Sequence, residues 1–135
     1  MVLDTSAIVA VLANEPEALR MARAIESDPV RLLSAANLLE CAMVVEGRYG
    51  PAGGRELDLF LYRAQVEVVP VTADHAARAR RAWRAFGKGR HPAALDFGDC
   101  FAYALAQASG EPLLSKGDDF GLTDVVVAGA PAPRT

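Results

Sequence analysis

Short apolar runs and helical stripes alternate along the chain. Val2 and Leu3 stop at Asp4-Thr5-Ser6, which predicts a buried strand followed at once by a helix N-cap, with the helix under way near Ala7. Pro16 suits the first turn of a second helix, where Leu19, Ala22 and Ile25 recur until Asp28-Pro29. Val30–Leu33 predicts a second strand. Ser34 to Asn37 offer caps for a third helix to about Tyr49, and Gly50–Gly54 predicts a loop before a fourth, Arg55 to Ala64. Val66 to Val71 predict a third strand, and Thr72 caps an Ala/Arg helix from Ala73 to Phe86. After a loop over Gly87–Pro92, Asp96 opens a helix that ends at Ser109-Gly110. Leu113-Leu114 and Val125–Val127 supply a fourth and a fifth strand.

Short, unalternating strands separated by helices describe a parallel sheet covered on both faces, an α/β three-layer fold of about five strands. The 135 residues, 52% hydrophobic and 23% charged, suit one domain. We expect it over residues 1–129, with a frayed tail at 130–135. A net charge of −3 argues against blanket electrostatic binding of nucleic acid, so any such contact needs a local patch. There is no repeat, no internal linker, no basic n-region and no apolar run long enough to span a membrane, which together imply a cytoplasmic protein. Cys41 and Cys100 form no CxxC and no zinc pattern, and their expected role is packing.

The acids carry the candidate chemistry. Ligands of open parallel sheets bind beyond the carboxyl ends of the strands, where Asp4 lies. Glu40 shares a helical stripe with Ala36, Met43 and Val44, and Asp99 one with Ala102, Tyr103 and Ala106. An ionised carboxylate on an apolar stripe is costly unless a cation or donors compensate it. Asp118 and Asp119 follow the fourth strand. Clustered carboxylates repel, and Mg²⁺, with Mn²⁺ as a substitute, takes hard oxygen ligands and suits phosphodiester hydrolysis. Ser6 or Thr5 is placed to hold a metal-bound water. The bland alternatives are capping by Asp4, dipole complementation by Asp99, with Asp96 the better cap, and an ordinary turn at Asp118-Asp119.

The segments MVLDTSAIVAVL, ANLLECAMVVEGRYG, LDFGDCFAYALA and LLSKGDDFGLTDV, in this order, resemble the PIN domain, specifically the ribonuclease toxins of bacterial VapBC-type toxin–antitoxin pairs. The resemblance runs from Met1 to about Val127. It implies a five-stranded parallel sheet, a metal-dependent endoribonuclease and a small antitoxin partner. It places the acids at Asp4, Glu40 and Asp99, with Asp4 and Asp99 as direct metal ligands. Where many relatives carry the fourth acid this chain has Gly117, so the expected fourth acid is Asp119, with Asp118 and Asp124 as alternatives. The rival reading is a non-catalytic PIN-like module that binds RNA or protein. Dinucleotide and P-loop motifs are absent, and Ser6 stands where an aspartyl phosphatase wants a second acid.

Between Arg78 and His91 seven cationic or potentially cationic groups occur in 14 residues. Arg78 and Arg81 read as a solvated helix face, whereas Lys88, Arg90 and His91, in a glycine-flanked loop, are expected to contact RNA phosphates. Trp83 and Phe86 are expected to pack. Apolar residues at Leu12, Leu19, Leu57, Phe60 and Leu61 exceed one small core and imply a homodimer or a partner groove.

Overall fold

The structure is a computed structural model that describes residues 1–129. The elements are β1 (Val2–Leu3), α1 (Thr5–Leu12), α2 (Ala18–Ser27), β2 (Leu32–Ser34), α3 (Ala35–Tyr49), α4 (Pro51–Arg63), β3 (Glu67–Val69), α5 (Ala73–Phe86), α6 (Phe97–Ser109) and β4 (Leu113–Leu114). A short 3₁₀ turn follows at Asp119–Leu122. The strands form one parallel sheet in the order β3-β2-β1-β4, each joined to the next by a pair of helices, which is the expected three-layer α/β arrangement.

Two apolar cores lie on the two faces. Leu3, Ile8, Met21, Leu33, Cys41, Val45 and Leu57 join the sheet to α1 through α4, whereas Val2, Leu95, Leu105, Leu113 and Phe120 join it to α5 and α6. The alternate faces taken by Val2 and Leu3 follow from the two-residue period of a strand. Because β2 and β4 flank β1 on opposite sides, the chain leaves β1 and β4 in different directions and opens a crevice at their carboxyl ends.

Several boundaries differ from the sequence expectation. The expected loop Gly50–Gly54 shrinks to Gly50 alone, which has φ +67° and ψ −157°, a region open essentially to glycine. Pro51 then starts α4, and the remaining glycines serve close helix packing: a Cβ on Gly53 would lie 2.3 Å from the Val45 carbonyl oxygen. β2 begins at Leu32 because Val30 and Arg31 are outside the ladder, Val30 being exposed. On α2 the buried pair is Met21 and Ile25, and Leu19 faces solvent. Leu57 belongs to the core and not to a surface groove. Val125–Val127 makes only a single parallel bridge, Val127 to Leu113, so four strands, not five, stand among the described residues. The expected tail, 130–135, lies outside the described residues. Among those described, no helix is long and apolar enough to cross a membrane.

Candidate active site

Asp4 ends β1 and caps α1: its Oδ2 accepts from the backbone N–H of Ser6 at 3.0 Å and from the Ser6 hydroxyl at 2.6 Å. Ser6 Oγ in turn accepts from the Lys116 N–H at 3.0 Å, so the loop after β4 is tied to the acid after β1. The Ser6 hydroxyl proton, expected to serve a metal-bound water, is therefore directed at Asp4. Oδ1 of Asp4 is buried with no hydrogen-bond partner among the described residues. Burial pushes the Asp4 carboxyl up to about 6, against the two Ser6 hydrogen bonds, with Glu40 and Asp96 adding repulsion.

Glu40 arrives from the other side of the crevice because Ser34, the last residue of β2, caps α3 and so places Glu40 in that helix's second turn. Its stripe is not a core stripe. Asn37, Cys41 and Val45 face the core, while Ala36, Leu39, Glu40, Met43 and Val44 line an open groove of about 440 Å³ shared with Phe97 and Phe101. Thr5 Oγ1 donates to Glu40 Oε1.

Asp99 and Asp96 form a capping box at the start of α6. Asp96 Oδ1 accepts from the Asp99 N–H at 2.9 Å, and Asp99 Oδ2 accepts from the Asp96 N–H at 3.0 Å. Desolvation raises the Asp99 carboxyl to about 8, assisted by the charges of Asp4 and Asp96 and opposed by the Asp96 backbone N–H.

Asp4, Thr5, Ser6, Glu40, Asp96 and Asp99 line one cleft of about 250 Å³, together with Glu15, Arg48 and Lys116. Of the acids expected from sequence, Asp4, Glu40 and Asp99 meet here. Asp118 and Asp119 are exposed and do not line it. Asp124 lines a different cavity, where it accepts from the Tyr103 hydroxyl. Asp96, expected only as a cap, is a further carboxylate of the cleft. Among the described residues no group of three or more His, Cys, Asp or Glu side chains is disposed to hold a metal ion. Asp99 accepts from the Asp96 N–H in the α6 cap, and Glu40 accepts from the Thr5 hydroxyl. The chemistry of the donor set nonetheless fits a hard divalent cation: Asp4, Glu40, Asp96 and Asp99 bring carboxylate oxygens to one cleft, and Oδ1 of buried Asp4 has no hydrogen-bond partner among the described residues.

The basic loop stands outside the lining of the cleft. Its Lys88 and Arg90 are exposed, and neither they nor His91 line the cleft. The Arg90 guanidinium lies 4.1 Å from the Trp83 ring centre. His91 meets the edge of Phe86, and its Nδ1 accepts from the Ala93 N–H at 3.0 Å. The cations that do line the cleft, Arg48 and Lys116, were not singled out from sequence. Arg48 stands eight residues after Glu40 on the same helix, a spacing that keeps two residues on one face and could have marked it. Lys116, paired with Glu15 at 3.3 Å, reaches the cleft only through the β1–β4 pairing, which carries no local signal. Burial raises the Cys41 thiol to about 12 and the Cys100 thiol to about 11, in keeping with packing roles.

Similarity to known proteins extends over most of the chain. The PIN domain family matches residues 1–126. Ribonuclease VapC30 of Mycobacterium tuberculosis is 56% identical over 131 residues, covering 97% of this chain and all of the relative. Ribonuclease VapC of Mycolicibacterium smegmatis is 58% identical over 125 residues, covering 93% and 97%. Among solved structures, M. tuberculosis VapC20, described as a sarcin-ricin loop cleaving toxin, superposes with a TM-score of 0.76 at 23% identity, over 93% of this chain and 95% of that one. VapBC2 of Rickettsia felis, bound to a DNA fragment from its promoter, gives 0.73 at 15% identity over the same shares. These two likenesses concern the fold alone. The sequence relationships go further, and on them the chain belongs to the PIN-domain family, among the VapC ribonucleases.

Proposed function

We propose that the cleft hydrolyses phosphodiester bonds of RNA, single-stranded or looped, with Mg²⁺ or Mn²⁺, and that the chain is the toxin of a toxin–antitoxin pair. The observation that carries this reading is the unpartnered Oδ1 of buried Asp4 at the floor of a cleft that also holds Glu40 and Asp99. Asp4 and Asp99 would hold the cation, which when bound supplies charge for the scissile phosphate and acidifies a water. Ser6 fixes the rotamer of Asp4 and leaves Oδ1 free. Glu40 accepts the proton of the attacking water, and Arg48 and Lys116 meet the negative charge of the strand from the rim. Lys88 and Arg90 contact phosphates farther along. The proposed fourth acid is Asp119, on the exposed turn three residues beyond Lys116.

For partners, the reading takes a small antitoxin that sets a cation among the acids and lays an apolar helix into the groove beside Leu12, Leu59 and Phe60. A second copy of the chain covers Leu39, Met43 and Phe97, which are 63%, 67% and 80% exposed. The test is incubation of pure protein with labelled RNA, with Mg²⁺, with Mn²⁺ and with EDTA. Cleavage is expected with either metal and none with EDTA. Binding without cleavage under all three conditions would replace the enzyme by the non-catalytic module.

A further inference from the structure

Behind the cleft, on the core-facing stripe of α3, stands a polar residue. Asn37 is fully buried, as are Leu33 and Cys41 four residues to either side of it, and an apolar side chain there would carry no hydrogen-bond demand. Its Nδ2 reaches Gly98 O at 3.0 Å, Thr5 Oγ1 at 3.2 Å and Glu40 Oε1 at 3.4 Å. Turning the amide over would set Oδ1 against the Gly98 carbonyl and the Glu40 carboxylate, so the surroundings themselves assign the nitrogen. Among the described residues Oδ1 has no partner. A buried amide kept for stability alone would be expected to pair both ends, whereas here only the donor end is used, and all of it points at α1, α6 and Glu40.

The same carboxylate is confined from the opposite side. A Cβ on Gly98 would come within 2.3 Å of both Glu40 oxygens, so α6 is close enough to press the glutamate against its first turn. Oε1 then receives the Thr5 hydroxyl and the Asn37 amide, while among the described residues no donor reaches Oε2. We propose that Asn37 is a positioning residue for RNA cleavage: with Thr5 it immobilises Oε1 of Glu40 and leaves Oε2 as the one oxygen offered to the reacting water. This rests on the role given to Glu40 above.

The test uses full-length protein and compares Asn37→Asp, which keeps the shape and removes the donors, with Thr5→Val, Thr5→Ser and Glu40→Gln. For Asn37→Asp, kcat is expected to fall at least about tenfold with KM within about twofold, as for loss of an outer-shell orienting group. In the Glu40→Gln background the same substitution is expected to cost nothing further, because a residue that acts through Glu40 has nothing left to position. Should the buried charge of Asn37→Asp unfold the protein, the Thr5 pair decides: Thr5→Val loses kcat and Thr5→Ser restores it. The proposal is overturned by a lowered Tm with unchanged kcat, by a full additional loss in the Glu40→Gln background, or by wild-type kcat in Thr5→Val. If Glu40→Gln itself leaves kcat unchanged, the assignment of Glu40 falls. If Glu40→Gln is inactive and Asn37→Asp is fully active, only the role of Asn37 falls.

Discussion

Asp4 serves two purposes that one substitution separates. As the cap of α1 it needs a side-chain oxygen to accept from Ser6, which asparagine supplies equally well, whereas as a cation ligand it needs its charge. Asp4→Asn should therefore abolish metal-dependent cleavage and still raise the stability of the metal-free protein by about 1–3 kcal/mol near pH 8, where the buried carboxylate is ionised. Denaturant unfolding with EDTA, beside an RNA cleavage assay, measures both. Gly98 permits a second separation. The atoms that an added methyl would meet belong to the movable end of Glu40 and not to backbone. Gly98→Ala is thus expected to displace Glu40, lowering kcat at least about tenfold. Its Tm should change little, and a collapsed Tm would show that the glycine serves helix packing instead.

At the scale of elements, the joints between helices determine what the site can tolerate. α3 and α4 meet at Gly50, in a conformation that costs an L-residue about 1–3 kcal/mol, so Gly50→Ala should lower the unfolding free energy by that amount without changing cleavage per folded molecule. α3 and α6 approach through Asn37 and Gly98, and this contact brings Glu40 beside the Asp96–Asp99 cap. The cations sort by element in the same way. Arg48 on α3 lines the cleft, whereas Arg90 lies over Trp83 outside it. Arg48→Ala should weaken RNA binding and reduce the slope of log affinity against log salt by about one ion. Lys88→Ala with Arg90→Ala should produce the smaller change in cleavage rate. Equal losses from the two would place the scissile phosphate midway between them.

Across the whole molecule, pH couples the site to the fold. Asp4 and Asp99 hold protons in the metal-free native state that the unfolded chain releases near 3.8. Their contribution to stability is complete below that value and is lost as pH rises through about 6 for Asp4 and about 8 for Asp99, so the metal-free protein should weaken steadily from pH 4 to 8. Asp99→Asn should flatten that decline in urea unfolding at a series of pH values. The α/β architecture was legible in sequence because buried parallel strands and amphipathic helices leave different periodicities, and Asp4, Glu40 and Asp99 stood out as acids in places where charge is costly. Gly50–Gly54 misled because glycines that let α3 and α4 pack closely look like glycines that turn a chain. Asn37 shows its position only as a polar interruption of Cys41 and Val45, and Lys116 enters through pairing of distant strands. The first mark names no partner for the amide, and the second residue leaves no mark within its own stretch of sequence.

That pairing has a consequence for the timing of synthesis. β4 docks beside β1, and the Lys116 amide that completes the Ser6–Asp4 contact comes 110 residues after Ser6. At roughly 5–20 residues per second a ribosome needs about 5–20 s to traverse that distance, during which Asp4 has been made and its supporting loop has not. Glu40 likewise waits for α6, whose first turn confines it. A nascent chain therefore carries its acids for most of translation without the cleft that would let them act. Ribosome-bound chains arrested before β4 should leave labelled RNA intact, while released full-length chains cut it.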